Sequence, residues 1–183
     1  MTPDVLIPVA DGTEDTEAVA SCDVLHRAGL VPAYVGLRPG PVTASHGTCI
    51  LPHFAWDEAP FTAARAILLP GGRGGTDAFL AFAPLHDGLR AHAAAGKLLA
   101  AICAAPEVLG AAGLLRGKTY TCYPGCQSAI PDGIWRDAPV VVDGLLVTGQ
   151  GPGVTIPFAL AVAAALAGPS AADRVASSML VSR

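Results

Sequence analysis

The chain has 183 residues and a formal net charge of −4; 52% of them are hydrophobic and only 14% charged, enough apolar material for a sizeable core. No basic cluster occurs, which excludes nucleic acid and anionic membrane surfaces as expected partners. The longest weakly polar run, residues 156–167, is roughly half of what a bilayer requires. The opening segment, with Asp4 and no Lys or Arg, does not read as a secretory signal. One domain over residues 1–183 is expected. The five cysteines, Cys22, Cys49, Cys103, Cys122 and Cys126, are an odd number and scattered, so they read as reduced thiols of a cytoplasmic protein rather than a disulfide framework. Cys122 and Cys126 have no second pair, and no histidine follows His92, so no zinc site is expected there.

Taken in order, Asp4 to Val9 is an apolar strand. A turn follows, then a helix with Thr13 as N-cap and acidic residues in its first turn, running to about Ala28 and ended by Gly29. Val31 to Leu37 is a second strand. Val42 to Leu51 reads as a hairpin pivoting near Gly47, and Pro52 to Pro60 as a loop holding Trp56. Arg65 to Leu69 is a buried strand closed by Pro70-Gly71-Gly72. Two helices are predicted next, Asp77 to Phe82 and Leu85 to Ala95, the second stopped at Gly96. Leu98 to Ile102 is wholly apolar, the mark of a strand buried on both faces. A helix then runs to Leu114, and Lys118 to Tyr123 reads as a strand. Asp143-Gly144 between Val140–Val142 and Leu145–Thr148 signals a hairpin. Gly149 to Gly153 is a glycine loop, read as a structural turn because it lacks the Lys-Ser/Thr of a phosphate loop. An Ala-rich helix to Ala167 and a last helix, Ala171 to Leu180, complete the chain. Strands alternating with helices predict a three-layer α/β sandwich with a mostly parallel central sheet. Its site should lie at the carboxyl ends of the strands. Three such ends should converge: Gly12 to Glu17, Pro70 to Gly72, and Cys103.

Cys103 follows a buried strand at once, and Ala104, Ala105 and Pro106 open a helix. A thiol on such a strand-to-helix turn, a nucleophile elbow, meets free helix N–H groups, whose field favours thiolate. The small neighbours Ala101 and Ala105 suit a strained turn. The alternative is a buried cysteine packing as a small hydrophobe. Glu17 also reads two ways. It is either one more acid in a helix's first turn beside Glu14 and Asp15, or a carboxyl on the core side, since Ala20 and Val24 share its face. In the second case desolvation and a neighbouring thiolate raise its pKa, and it can donate a hydrogen bond to the thiolate while remaining neutral. Gly71 and Gly72, with Ala104, can supply backbone N–H groups to an oxyanion; the alternative is a simple strand-ending turn. No G-x-S-x-G occurs, which removes an α/β-hydrolase serine. No histidine follows Cys103, so a Cys-His-Glu triad in the usual order cannot be built.

The segments Ala10-Asp-Gly-Thr-Glu-Asp-Thr-Glu-Ala-Val, Leu69-Pro-Gly-Gly, Ala100-Ala-Ile-Cys-Ala-Ala-Pro and Gly149-Gln-Gly-Pro-Gly, in this order and spacing, resemble the ThiJ/DJ-one/PfpI superfamily over essentially the whole chain. They are most similar to its small single-domain, ThiJ/YajL-like branch. The resemblance implies a flavodoxin-like sandwich forming a homodimer. It implies Cys103 as an oxidation-sensitive nucleophile, Glu17 as its protonated partner, and Gly71, Gly72 and Ala104 as backbone donors. The implied activity is glutathione-independent conversion of methylglyoxal to lactate, also described as deglycation of early glyoxal adducts, with no cofactor and no metal. Expected partners are therefore small 2-oxoaldehydes or glycated groups. The protease branch has His directly after the nucleophile; here Ala104 stands there, which speaks against peptidase activity.

Some positions depart from the pattern. Tyr123 replaces a His before Pro124; it can donate a hydrogen bond but is a poor base at neutral pH. His46 stands where many relatives have an Arg facing the partner subunit's Arg network, and Asp23 and Arg27 match the rest of that network. His46 is otherwise a solvated hairpin residue. Cys126 is a candidate resolving thiol for Cys103 that no family motif supports. A rival to enzyme function is a redox sensor or chaperone in which Cys103 becomes a sulfinate.

Overall fold

The computed structural model describes residues 2–181. Its strands are β1 (Val5–Val9), β2 (Pro32–Gly36), β3 (Val42–Thr43), β4 (Cys49–Ile50), β5 (Phe54–Ala55), β6 (Ala66–Leu69), β7 (Leu98–Ile102), β8 (Thr119–Tyr120), β9 (Ile134–Trp135), β10 (Val140–Asp143) and β11 (Leu146–Gly149). Its helices are α1 (Asp15–Arg27), α2 (Arg73–Ala81), α3 (Ala83–Ala94), α4 (Pro106–Ala111), α5 (Thr155–Ala167) and α6 (Pro169–Ser178). The main sheet runs β10-β11-β7-β6-β1-β2-β5, parallel except for the β10–β11 pair. This is the α/β sandwich with a mostly parallel sheet that the alternation of elements predicts.

The central strands β1, β6 and β7 are buried at every position, because helices cover both faces of the sheet. Alternate residues of β1 enter opposite cores. Val5, Ile7 and Val9 join α1, α5 and α6 residues such as Val24, Phe158 and Val175. Leu6 and Ala10 join Ile67, Leu69, Phe79, Leu85 and Leu109 on the α2–α4 side. Among the described residues no helix is long and apolar enough to cross a membrane.

Several boundaries differ from the sequence reading, each for a physical reason. Thr13 does not cap α1; its Oγ1 accepts the Ala10 N–H at 3.0 Å and ties the turn instead. α2 begins at Arg73 rather than Asp77. Its glycines look like a loop, but they permit close approach: a Cβ on Gly74 would lie 3.1 Å from Gly12 Cα, and one on Gly75 2.7 Å from Thr13 Oγ1. α4 stops at Ala111, short of Leu114. The segment expected to be a strand over Lys118–Tyr123 is β8 alone, paired in parallel with β9 outside the main sheet. Thr119 and Thr121 give their N–H groups to the side chains of Asp143 and Thr148, so no longer ladder forms. β5 lies inside the segment read as a loop and forms the far edge of the sheet beside β2. The hairpin around Gly47 is present as β3–β4.

Candidate active site

The chain turns sharply where β7 meets α4. Cys103 sits there with φ of 64°, the left-handed region that a side chain rarely adopts. Two bonds hold it in that strained conformation. Its N–H donates to the Gly149 carbonyl at 3.0 Å, and its carbonyl accepts the Tyr123 N–H at 2.8 Å. The neighbouring loop comes in so close that Gly71 has no room for a side chain: a Cβ would lie 2.7 Å from Cys103 Cβ and 2.9 Å from Glu17 Oε2. Gly72, with φ of 84°, would drive a Cβ into the Gly12 carbonyl and the Glu14 amide. The Glu14 N–H in turn donates to the Gly71 carbonyl at 3.0 Å. The three strand-end loops therefore converge.

Glu17 projects from the first turn of α1 and has no solvent exposure. Its buried face continues through Ala18, Ser21, Val24 and Leu25, one step round from the expected Ala20, which is only partly buried. Oε2 accepts the Gly71 N–H at 2.7 Å. Oε1 has no partner of ordinary hydrogen-bond geometry, although the side chain lies against the Cys103 thiol and interacts with it. Burial raises the carboxyl from 4.5 to about 7, against the opposing pull of the Gly71 N–H and the thiol contact. A carboxyl near half protonation at neutral pH is poised to give and take a proton.

Burial, followed by repulsion from an ionised Glu17, pushes the Cys103 thiol up to about 12. The expected thiolate-favouring field is present, as the Gly72 and Ala104 amides facing the sulfur, but desolvation outweighs it. The repulsion disappears when Glu17 holds its proton. The two groups thus behave as one coupled site that carries a single negative charge far more readily than two.

Gly71 is not the oxyanion donor that the sequence predicts, because its N–H is already given to Glu17. Gly72 and Ala104 remain as the donors facing the sulfur. Tyr123 is beside Cys103 through its backbone, while its ring is half exposed and packs over Gly151, whose Cβ would lie 3.3 Å from it. Asp23 and Arg27 pair with each other at 2.8 Å on the half-exposed side of α1, away from the thiol. His46 is exposed on the hairpin turn, its Nδ1 3.4 Å from Asp15 Oδ2 and 3.6 Å from Glu14 Oε1. Glu14, Asp15 and His46 form the one group of three potential metal donors among the described residues. Both Asp15 oxygens already accept N–H groups, from His46 and Thr48, so the group works as a clamp on the turn. Cys126 lies beside Glu107 rather than Cys103, and burial pushes its thiol up to about 12.

One feature escaped the sequence reading. Arg73, directly after the glycine pair, donates Nη1 to both carboxylate oxygens of Glu107 at 3.1 Å. This bridge joins the loop carrying Gly72 to the helix that follows Ala104. The signal was two opposite charges, each placed just beyond a site motif, with nothing in the spacing to say that they meet.

The fold and the elbow define a class: flavodoxin-like α/β proteins with a cysteine on a strained strand-to-helix turn and a buried carboxyl partner. The profile of the DJ-1/PfpI family matches residues 3–165. The chain is 37% identical to protein dj-1beta of Drosophila melanogaster, covering 99% of this chain and 98% of that protein. The crystal structure of that relative superposes with a TM-score of 0.92 over 100% of both chains, at 36% identity. The glutathione-independent glyoxalase DJR-1.2 of Caenorhabditis elegans is 33% identical, with 90% of this chain and 88% of that protein covered. Toxoplasma gondii DJ-1, solved in an oxidised form, superposes with a TM-score of 0.91 over 100% of both chains, at 32% identity. The chain belongs to the DJ-1/PfpI family.

Proposed function

We propose that this protein is a cysteine-dependent, glutathione-independent glyoxalase acting on methylglyoxal or on early glyoxal adducts, a defence against carbonyl stress. The observation that carries the reading is the fully buried Glu17 carboxyl, raised to about 7, against a thiol held at a positive-φ turn. The sulfur of Cys103 adds to the aldehyde carbon of a 2-oxoaldehyde, forming a C–S bond and a hemithioacetal. Glu17, ionised, takes the thiol proton as the sulfur attacks and passes it to the resulting alkoxide, while the Gly72 and Ala104 amides steady the negative charge. As a carboxylate, Glu17 then removes the proton from the former aldehyde carbon and returns it to the adjacent carbon, while the hydroxyl proton of the first carbon passes to the neighbouring oxygen, leaving a 2-hydroxy thioester. Water cleaves the C–S bond, releasing the 2-hydroxy acid and the thiol. The sum is 2-oxoaldehyde plus water giving 2-hydroxy acid, with no external oxidant or reductant. A relative bearing the name glutathione-independent glyoxalase supports the assignment. The test is lactate formation from methylglyoxal by the wild type, Cys103→Ser and Glu17→Ala. Each substitution should remove nearly all turnover, and retained activity in either discards the scheme.

A second reading shares the residues. Cys103 oxidised by peroxide to a sulfinate would be stabilised by the Glu17 proton and the two amides. A family neighbour solved in an oxidised form favours it. Intact mass after mild peroxide separates the two: two added oxygens without methylglyoxal turnover supports the sensor. In either role we take the chain to work as a homodimer. Its contact would involve the outer face of α1, where Val19 is half exposed beside the Asp23–Arg27 pair, and the β3–β4 region, where Leu51 is exposed. Light scattering after gel filtration tests this, and a monomer mass would refute it.

A further inference from the structure

Beside the elbow lies a groove of about 280 Å³ lined by Tyr123, Pro124, Gln150, Gly151, Pro152 and Val154. It borders the Cys103 backbone on both sides: Tyr123 donates its N–H to the Cys103 carbonyl, and Gly149, which accepts the Cys103 N–H, directly precedes Gln150. None of its lining side chains carries a charge. Its walls are also fixed. The Gln150 amide is committed to Asp137 at 2.8 Å, the Thr155 hydroxyl donates to the Pro152 carbonyl at 2.8 Å, and the Tyr123 ring rests over side-chain-free Gly151.

We propose that this groove makes Tyr123 a specificity-determining residue, selecting 2-oxoaldehydes whose carbonyl carries an aromatic or bulky apolar group over methylglyoxal itself. The inference rests on the glyoxalase reading above and names the substrate class of that site. An aldehyde carbon on the Cys103 sulfur leaves the rest of the substrate to extend from the elbow, and the groove offers it an aromatic edge, two proline faces and Val154. A methyl group leaves most of that surface wet; a phenyl ring covers it. A carboxylate or phosphate finds no cation there, which argues against charged adducts in this groove.

The experiment compares kcat/KM for phenylglyoxal and methylglyoxal in the wild type and in Tyr123→Ala. The wild type should favour the aryl substrate by about tenfold or more, the scale expected when an apolar pocket gains or loses such a group. Tyr123→Ala should erase most of that preference. A second arm does not need turnover. Phenacyl chloride and chloroacetone each alkylate Cys103, the sulfur forming a C–S bond as chloride leaves and the thiol proton passes to buffer. Rates are normalised to free N-acetylcysteine. The aryl reagent should gain about tenfold in the wild type and lose that gain in Tyr123→Ala. An equal normalised ratio in the wild type overturns the groove assignment, even where methylglyoxal is turned over and the glyoxalase reading stands. No turnover of either aldehyde with an aryl preference retained in alkylation overturns the glyoxalase reading and upholds the groove. If Tyr123→Ala fails to fold, Val154→Ala on the same groove repeats both arms.

Discussion

Substituting Glu17 by Gln tests the buried carboxyl directly, through stability rather than turnover. An acid whose folded-state value is raised binds its proton more tightly in the native state than in the unfolded one. Below about 4.5 both states are protonated and the carboxyl contributes no pH dependence. Between 4.5 and about 7 the unfolded chain ionises while the buried group resists, so native stability falls as pH rises and levels off above the upper value. A displacement from 4.5 to about 7 corresponds to about 3 kcal/mol over that window. Gln keeps the shape and can accept the Gly71 N–H through its carbonyl, but it does not titrate. Urea unfolding from pH 4 to 8.5 should therefore show the wild type losing about 3 kcal/mol relative to Glu17→Gln across the range. Subtracting the two curves cancels other titrating groups. Parallel curves across the range would refute the claim that this carboxyl is buried at a cost, and with it the proton-holding role.

His92 should give the opposite slope. Burial, helped by the charge of Lys97, pushes it down to about 4, so stability is present above 6.5 and lost as pH falls from 6.5 to about 4; His92→Leu should flatten this acid limb in the same unfolding series. Gly72→Ala forces a side chain into the Gly12 carbonyl at a φ of 84° and should lower stability by about 2 kcal/mol, read as a drop in Tm. Arg73→Gln leaves the largely buried Glu107 carboxylate with one partner fewer and frees the two donor loops from each other. It should reduce stability by about 1 kcal/mol and lower kcat more than it changes KM.

The parts of the fold legible in the sequence were those whose signal is local. The run Leu98–Ile102 announced a doubly buried strand, and the apolar run ending in Pro70-Gly71-Gly72 announced another. Asp143-Gly144 fixed the β10–β11 hairpin. What was illegible depended on distant partners. β5 and β9 are two residues each, too short for any periodicity, and exist only because β2 and β8 present free edges. The glycines of α2 looked like a break because their purpose, close approach to Gly12 and Thr13, is set by another segment. At the site, Cys103 and Glu17 were recognisable from position and from resemblance. That Gly71 serves the carboxyl rather than an oxyanion was not, because an N–H has no sequence signature of its direction.

The strands that deliver the reactive turn are also those whose every residue is interior. β1, β6 and β7 hold the centre of the sheet, so an opening large enough to bare the sulfur by fraying would have to undo the most protected cooperative unit of the molecule. Reagents must therefore reach residue 103 through the native mouth. Its labelling rate should be insensitive to sub-denaturing urea, and the thiol is shielded from the accidental damage that breathing at a chain end or an outer loop would allow.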